Sequence, residues 1–167
     1  MIITSVTVAV PVLIFAVYYF WFTKPAVHYH AGFQVYVDGV RKDFSGFEYM
    51  TISPCSQNKK SGKEDPQLEK GHLHDGNGDV VHVHREGAVW QDLFTNLKYT
   101  FPSGKEIRAY VNGNQVDDIL KQPITPYETV VIMVGKKPPL KDALAHAVTK
   151  DRIRAVEKSS EYCATGR

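Results

Sequence analysis

Residues 107–135 read IRAYVNGNQVDDILKQPITPYETVVIMVG, and this stretch decides the fold class. Its first five residues alternate between apolar and polar side chains and lead into Asn112-Gly113, which is typical of a two-residue hairpin turn. Residues 129–134 are a Val- and Ile-rich run closed by Gly135, the pattern of a buried strand. The stretch therefore predicts a hairpin followed by a buried strand.

Two further patterns extend the sheet toward the N-terminus. Residues 33–37 alternate in the same way and end in Asp38-Gly39, a second hairpin signal with a return strand over residues 40–44. Residues 88–97 carry apolar side chains at helical spacing and predict the one main helix. Together these patterns predict an α+β fold in which a mixed sheet packs with one main helix.

The order of the elements from residue 80 to residue 135 resembles a β-grasp, or ubiquitin-like, domain. Over residues 107–135 the chain is similar to the small sulfur-carrier proteins of thiamin and molybdopterin synthesis. Those proteins end in a free Gly-Gly, whereas Gly135 continues here into Lys136-Lys137-Pro138-Pro139. The resemblance therefore implies a β-grasp-like fold and no carrier function.

The N-terminal residues 2–22 carry no charge. As a helix they would span about 30 Å, which is the thickness of the hydrocarbon core of a bilayer. A cleaved signal peptide is disfavoured because no Lys or Arg precedes Lys24, and a buried core helix is usually shorter. We predict a single-pass transmembrane anchor over residues 1–24. Taken alone, the positive charges that follow it favour a cytoplasmic domain.

The C-terminal residues 138–167 begin with Pro138-Pro139, which separates them from the preceding strands. Apolar positions in residues 140–148 and 153–156 have helical spacing but differ in phase, so two short helices are expected, the second with Thr149 as its N-cap. A solvated helix and a specific contact are both open readings. The expected division is an anchor (1–24), a His-rich β-grasp-like domain (25–137) and a C-terminal helical segment (138–167).

Length and charge limit the classes of function. The chain has 167 residues, enough for one domain and not comfortably for two. Its formal net charge of +2, without a basic stripe, argues against nucleic acid as a partner. The sequence contains no P-loop, no Gly-x-Ser-x-Gly and no His-Glu-x-x-His pattern. The common motifs of nucleotide, serine-hydrolase and zinc-protease chemistry are therefore missing.

Six of the seven His lie in three His-x-His units. Random placement would give about 0.3 such units in a chain of this composition. Residues two apart on a strand point to one face, and two of the units flank residues 75–79, which read as a hairpin turn. If this hairpin pairs with an even sum of residue numbers, for example 74 opposite 82, its four imidazoles share one face. The predicted metal ligands are His30, His72, His74, His82 and His84, with His28 as a further ligand.

A ligand set of imidazoles suits Zn, Cu, Ni or Fe better than Ca or Mg, and we expect Cu or Zn as the cofactor. Asp75 and Asp79 either orient the imidazoles or simply build the turn. Cys55 and Cys163 lie away from the His units, so a thiolate site is not indicated. In an extracytoplasmic domain these two Cys are expected to form a disulfide, and the alternative is a pair of free thiols.

Four stretches carry a wider resemblance: HAGFQVYVDG at residues 30–39, HLHDGNGDVVHVHREGAVWQDLF at residues 72–94, VNG at residues 111–113 with VVIMVG at residues 130–135, and KDRIRAVEKSSEYC at residues 150–163. They resemble a group of small, mostly uncharacterised membrane-anchored proteins of bacteria and archaea, which share His-x-His-Asp followed by a second His-rich strand. The resemblance implies a domain on the outer side of the membrane and no particular activity. It matches His30, His72, His74, His82 and His84, with His28 as a looser match.

The sequence therefore favours a membrane-anchored, extracytoplasmic protein that binds Cu or Zn. Such a protein would act in metal delivery or sensing, or as an accessory subunit of a membrane complex, with the lipid bilayer and that complex as its partners. One alternative is a non-catalytic structural or interaction subunit. A second alternative is a metal-dependent enzyme, for which Glu86 and Asp79 are acid–base candidates by proximity to the His units.

Overall fold

The computed structural model describes residues 27–51 and 65–165, with three helices and a six-stranded sheet. Single-turn 3₁₀ helices lie at Phe47–Tyr49, Leu68–Lys70 and Ile119–Lys121. The main elements are β1 (Tyr29–Val37), β2 (Val40–Arg41), β3 (Val80–Val83), α1 (Trp90–Asn96), β4 (Ile107–Val111), β5 (Asn114–Val116), β6 (Thr129–Val134), α2 (Leu140–Ala145) and α3 (Lys150–Thr165).

The long first strand organises the sheet, whose order is β2-β1-β6-β4-β5. Strands β1 and β6 are parallel, with Gly32 opposite Thr129, and the other pairs are antiparallel. Strand β3 pairs with the first half of β1, and β2 pairs with its end. Phe33 N donates to Asp79 O, while Val35 O accepts from Lys42 N, so β3 and β2 occupy the same edge of β1 one after the other.

The strands predicted over residues 107–111 and 129–134 are confirmed. The predicted hairpin turns at Asn112-Gly113 and Asp38-Gly39 are confirmed as well, since Asn112 and Gly113 have φ of 49° and 85° and Asp38 and Gly39 have φ of 51° and 88°. Positive φ at both central residues is the geometry of a type I′ turn, which matches the twist of the flanking strands. The return strand β2 is shorter than the predicted residues 40–44, because Phe44 turns into the core and is 1% exposed.

One face of the sheet packs against helix α1. The odd-numbered residues of β1 point to this face, as the period of two of a strand requires. Phe33 there contacts Trp90 and Phe94 of α1, with ring centroids 6.0 Å apart in both pairs. This layer is the main hydrophobic core, and it holds helix α1 in the connection between β3 and β4.

The opposite face is covered by the C-terminal segment. Ala143 of α2 packs with buried side chains of β1, β4 and β6, while Ile153 and Val156 of α3 pack with Val80 of β3. The approach is close at Gly32, where an added Cβ would lie 2.6 Å from Val148 Cβ. Thr149 Oγ1 accepts from Arg152 N at 3.2 Å, which confirms Thr149 as the N-cap of α3. Of the two open readings of this segment, the specific contact is the one observed.

The predicted fold class, a transmembrane helix followed by a β-grasp-like domain, requires correction. The described residues form a mixed α/β sheet with packed helices, and none of these helices is both long and apolar enough to cross a bilayer. The run of residues 2–22, where the anchor was predicted, lies outside the described residues. Cys55 also lies outside them, so its pairing with Cys163 stays a prediction.

Candidate metal centre

The three His-x-His units lie on three adjacent chain segments, with β3 in the middle. On one side His82 of β3 is directly opposite His30 of β1. On the other side His82 is opposite His72, and their backbones exchange two hydrogen bonds, at 3.0 and 3.1 Å. This pairing has an even sum of residue numbers, which is the condition for the four imidazoles of residues 72–84 to share one face. The observed partner of His82 is His72, whereas His74 was the example given for the predicted pairing.

The six imidazoles form one continuous cluster around His82. The ring centroid of His82 lies between 4.3 and 5.1 Å from the centroids of the other five rings. His84 also stacks on His28 at 5.0 Å and on His72 at 5.8 Å. His146, the seventh His, is exposed and lies after α2, where its Nδ1 is 2.7 Å from Asp142 O. The predicted ligands are therefore brought together, and His146 is not among them.

Two groups within this cluster are close enough to hold a metal ion. In each group one candidate ligand nitrogen per residue lies within 4.8 Å of the others. His82 belongs to both groups, whereas His84 contacts the cluster but belongs to neither. The first triad is His28, His30 and His82, and the second triad is His72, His74 and His82.

Oxygen atoms at the periphery hold the outer rings in orientation. The Nδ1 atom of His72 lies 2.9 Å from Leu68 O, and that of His74 lies 2.6 Å from Asp75 Oδ2. These contacts leave Nε2 for the centre, and His74 Nε2 is 2.5 Å from His82 Nδ1. His30 follows the same pattern, with Nε2 3.2 Å from His82 Nδ1 and Nδ1 3.9 Å from Glu157 Oε1. Such peripheral oxygen contacts are the usual support of metal-binding His.

Two imidazole nitrogens in the cluster are buried without a hydrogen-bond partner among the described residues. They are Nδ1 of His30 and Nε2 of His82. His30 is 0% exposed and His82 is 7% exposed, so solvent does not replace the missing partner. An unsatisfied buried polar atom costs about 1–3 kcal/mol. A cluster with two such atoms is therefore better suited to receiving a ligand than to stabilising the sheet by itself.

Burial keeps the central imidazoles neutral. The pKa of His30 and that of His72 are both lowered to about 4, chiefly by the loss of solvent and in smaller part by neighbouring imidazoles. The same two causes lower the pKa of His82, and burial also lowers that of His84. A neutral imidazole has a free lone pair, so these rings need not lose a proton to bind a metal near pH 7.

The structure separates the roles of the nearby carboxylates. Asp75 both builds the turn, where it has φ of 57°, and orients an imidazole, since its Oδ2 contacts His74 Nδ1. Asp79 instead pairs with Arg152 of α3 at 3.0 Å. Glu86 is exposed. Two surface cavities, one lined by Arg41 and Arg152 and the other by residues of β4 and β5, include none of the six clustered His in their lining.

Helix α3 supplies the neighbours that sequence reasoning missed. Glu157 lies beside His30 and also accepts a hydrogen bond from Tyr127 Oη at 2.7 Å. Arg152 donates to Asn77 Oδ1 at 2.8 Å, which ties α3 to the turn between His74 and β3. No local signal could have found these contacts, because Glu157 and His30 are far apart in the sequence and meet only through the docking of α3.

Comparison with protein-family models, with curated proteins and with solved structures finds no match to this chain. The two His triads could hold a metal ion, and their geometry is the basis for a function.

Proposed function

We propose that this protein binds a transition-metal ion, Cu or Zn, through the imidazoles clustered around His82. The observation that carries the proposal is the convergence of three His-x-His units from three adjacent segments into two triads that share His82. The buried Nε2 of His82, which has no hydrogen-bond partner among the described residues, points in the same direction, because a bound ion could use a lone pair that the fold leaves unsatisfied.

The donor set supports Cu or Zn over other ions. Neutral imidazole suits these metals, whereas Ca and Mg prefer oxygen ligands. Zn–N bonds of about 2.0–2.1 Å place two ligands of a tetrahedral ion roughly 3.3 Å apart. His30 Nε2 and His82 Nδ1 are 3.2 Å apart, which fits two ligands of one ion. Between the two metals, Cu(II) is expected to bind more tightly because of the Irving–Williams order.

Delivery or sensing is the role that fits this site. A triad of His leaves one position of a four-coordinate ion open, which permits exchange with another ligand. An enzyme would also need room for a substrate beside the metal, and none of the six clustered His lines either of the two surface cavities. An extracytoplasmic location and association with a membrane complex stay predictions of the sequence.

Metal uptake by the full-length protein tests the proposal. After dialysis against Zn²⁺ or Cu²⁺ and removal of free ions, elemental analysis should find at least one ion per chain. His82→Ala should weaken binding by at least about tenfold, since every triad loses a ligand. His74→Gln, at a half-buried position, serves as a second variant if His82→Ala fails to fold.

His146→Gln is the matched control, because His146 is exposed and outside the cluster. It should bind metal like the unchanged protein. Absence of bound metal, or equal binding by His82→Ala and the unchanged protein, would show that the proposal is wrong.

Glu157→Gln should weaken metal binding by about 10-fold or more, within the 10–100-fold range typical of residues that support a ligand. The substitution keeps the size of the side chain and an oxygen for Tyr127 Oη, but it removes the negative charge beside His30 Nδ1. Competition with a chromophoric chelator measures the change in Kd. Glu48→Gln, at an exposed position, should leave Kd unchanged. A Glu157→Gln affinity equal to that of the unchanged chain would contradict a supporting role.

A further inference from the structure

We infer that Tyr127 is a positioning residue of the metal centre, which holds His30 through its own backbone and, through Glu157, at the imidazole ring. This inference rests on the proposed metal binding and adds to it a residue outside the His cluster that sets how tightly the ion is held. It starts from the backbone of Tyr127, whose φ of 59° lies in the left-handed region. A bulky side chain seldom adopts this conformation, and such strain persists only where the surrounding structure fixes it.

A buried carboxylate fixes the turn in which Tyr127 lies. Glu128 is 5% exposed, and its Oε1 accepts hydrogen bonds from Trp90 Nε1 at 3.1 Å and from Thr125 N at 2.9 Å. Its Oε2 accepts from Thr125 Oγ1 at 2.6 Å. Hydrogen bonds to a charged group are among the strong ones, so three of them on one buried carboxylate can offset the strain at Tyr127. The turn is therefore held from helix α1 before any metal binds.

The strained conformation brings Tyr127 into contact with His30 and with the residue beside its ring. The backbone N of Tyr127 donates a hydrogen bond to His30 O at 2.8 Å. The Tyr127 hydroxyl donates to Glu157 Oε2 at 2.7 Å, and Glu157 Oε1 lies 3.9 Å from His30 Nδ1. The first contact fixes the main chain of β1 at His30, and the second orients a carboxylate toward the ring.

The hydroxyl matters because Glu157 is a long side chain near solvent. It is 22% exposed, and without a partner its carboxylate would be free to turn into water. With Oε2 held by Tyr127, Oε1 stays beside His30 Nδ1, which is buried and has no hydrogen-bond partner among the described residues. A His that binds an ion through Nε2 carries its proton on Nδ1. A carboxylate held next to that N–H makes the ring a better ligand.

Tyr127→Phe in the full-length protein tests this role, because it keeps the aromatic ring and removes only the hydroxyl. The Kd for Zn²⁺, measured by competition with a chromophoric chelator, should rise about three- to tenfold, which is less than the loss expected for Glu157→Gln. Tyr110→Phe is the matched control. The hydroxyl of Tyr110 lies 3.5 Å from Gln115 Oε1, at the β4–β5 hairpin, and its loss should leave the Kd unchanged.

A double-mutant cycle separates positioning through Glu157 from a merely structural role. In the Glu157→Gln background, Tyr127→Phe should change the Kd by less than about twofold, because the carboxylate that it positions is gone. A structural role would give the same loss in both backgrounds. An unchanged Kd in Tyr127→Phe, or equal losses in both backgrounds, would overturn this inference and leave the proposed function standing. Absence of Zn²⁺ binding by the unchanged protein would overturn both.

Discussion

Zn²⁺ at about 1,000 times its dissociation constant should raise the free energy of unfolding of this protein by about 4 kcal/mol. The reason is that the ligands come from three segments that meet only in the folded sheet, so the ion binds the native state in preference to the unfolded chain. For a chain of this length, 4 kcal/mol corresponds to an increase in melting temperature of roughly 8–16 °C. Thermal unfolding followed by circular dichroism, with and without Zn²⁺, measures the shift.

His82→Ala and His146→Gln separate specific from incidental stabilisation. His82→Ala should lose most of the shift, because His82 is common to both triads. His146→Gln should keep it, since His146 lies outside the cluster. A shift of equal size in both variants would mean that the ion acts elsewhere, and the absence of any shift in the unchanged protein would contradict binding to the folded state.

Acidification of the metal-free protein from pH 7 to pH 4 should lower its free energy of unfolding by several kcal/mol. The pKa of His30 and that of His72 are lowered to about 4 in the folded state, while an unfolded His titrates near 6.5. Between these values the unfolded chain binds more protons, so stability rises with pH. The contribution is complete above about pH 6.5 and is lost as the pH falls toward 4. For His30, which is fully buried, it is about 3 kcal/mol.

Urea unfolding at a series of pH values, in the presence of a chelator, measures this dependence. His30→Leu should flatten the curve between pH 6.5 and pH 4, because it replaces a buried titrating ring with an apolar side chain. His146→Gln, at an exposed position, should reproduce the curve of the unchanged protein. A His30→Leu curve as steep as the original would show that protonation of His30 is not the cause.

Local patterns were sufficient to predict much of the sheet. The strands over residues 107–111 and 129–134 were predicted with their observed bounds, because an alternating run and a Val- and Ile-rich run each identify a strand without reference to the rest of the chain. The Asn112-Gly113 and Asp38-Gly39 turns were equally clear, since few residue pairs adopt positive φ at both positions. The strand β2 was predicted too long, because only the core shows where Phe44 leaves the sheet.

The gathering of the His was predictable in part. Spacing of two placed each His-x-His unit on one face, and the even register of His72 with His82 kept the units on the same face. The first unit could be assigned to this site only through the pairing of β1 with β3, which joins residues about fifty positions apart. Such pairing depends on which hydrophobic faces cover each other and is not encoded in any local pattern.

The sequence by itself therefore determined the strands, the turns and the presence of three His-x-His units, because these depend on the period of the backbone and on turn chemistry. The tertiary structure alone decided that His82 lies at the centre of the cluster and that α3 brings Glu157 beside His30. It also decided that the C-terminal segment covers the face of the sheet that carries these imidazoles. The physical reason is that burial, with its effect on the pKa of the imidazoles, arises only when distant segments pack together and exclude water.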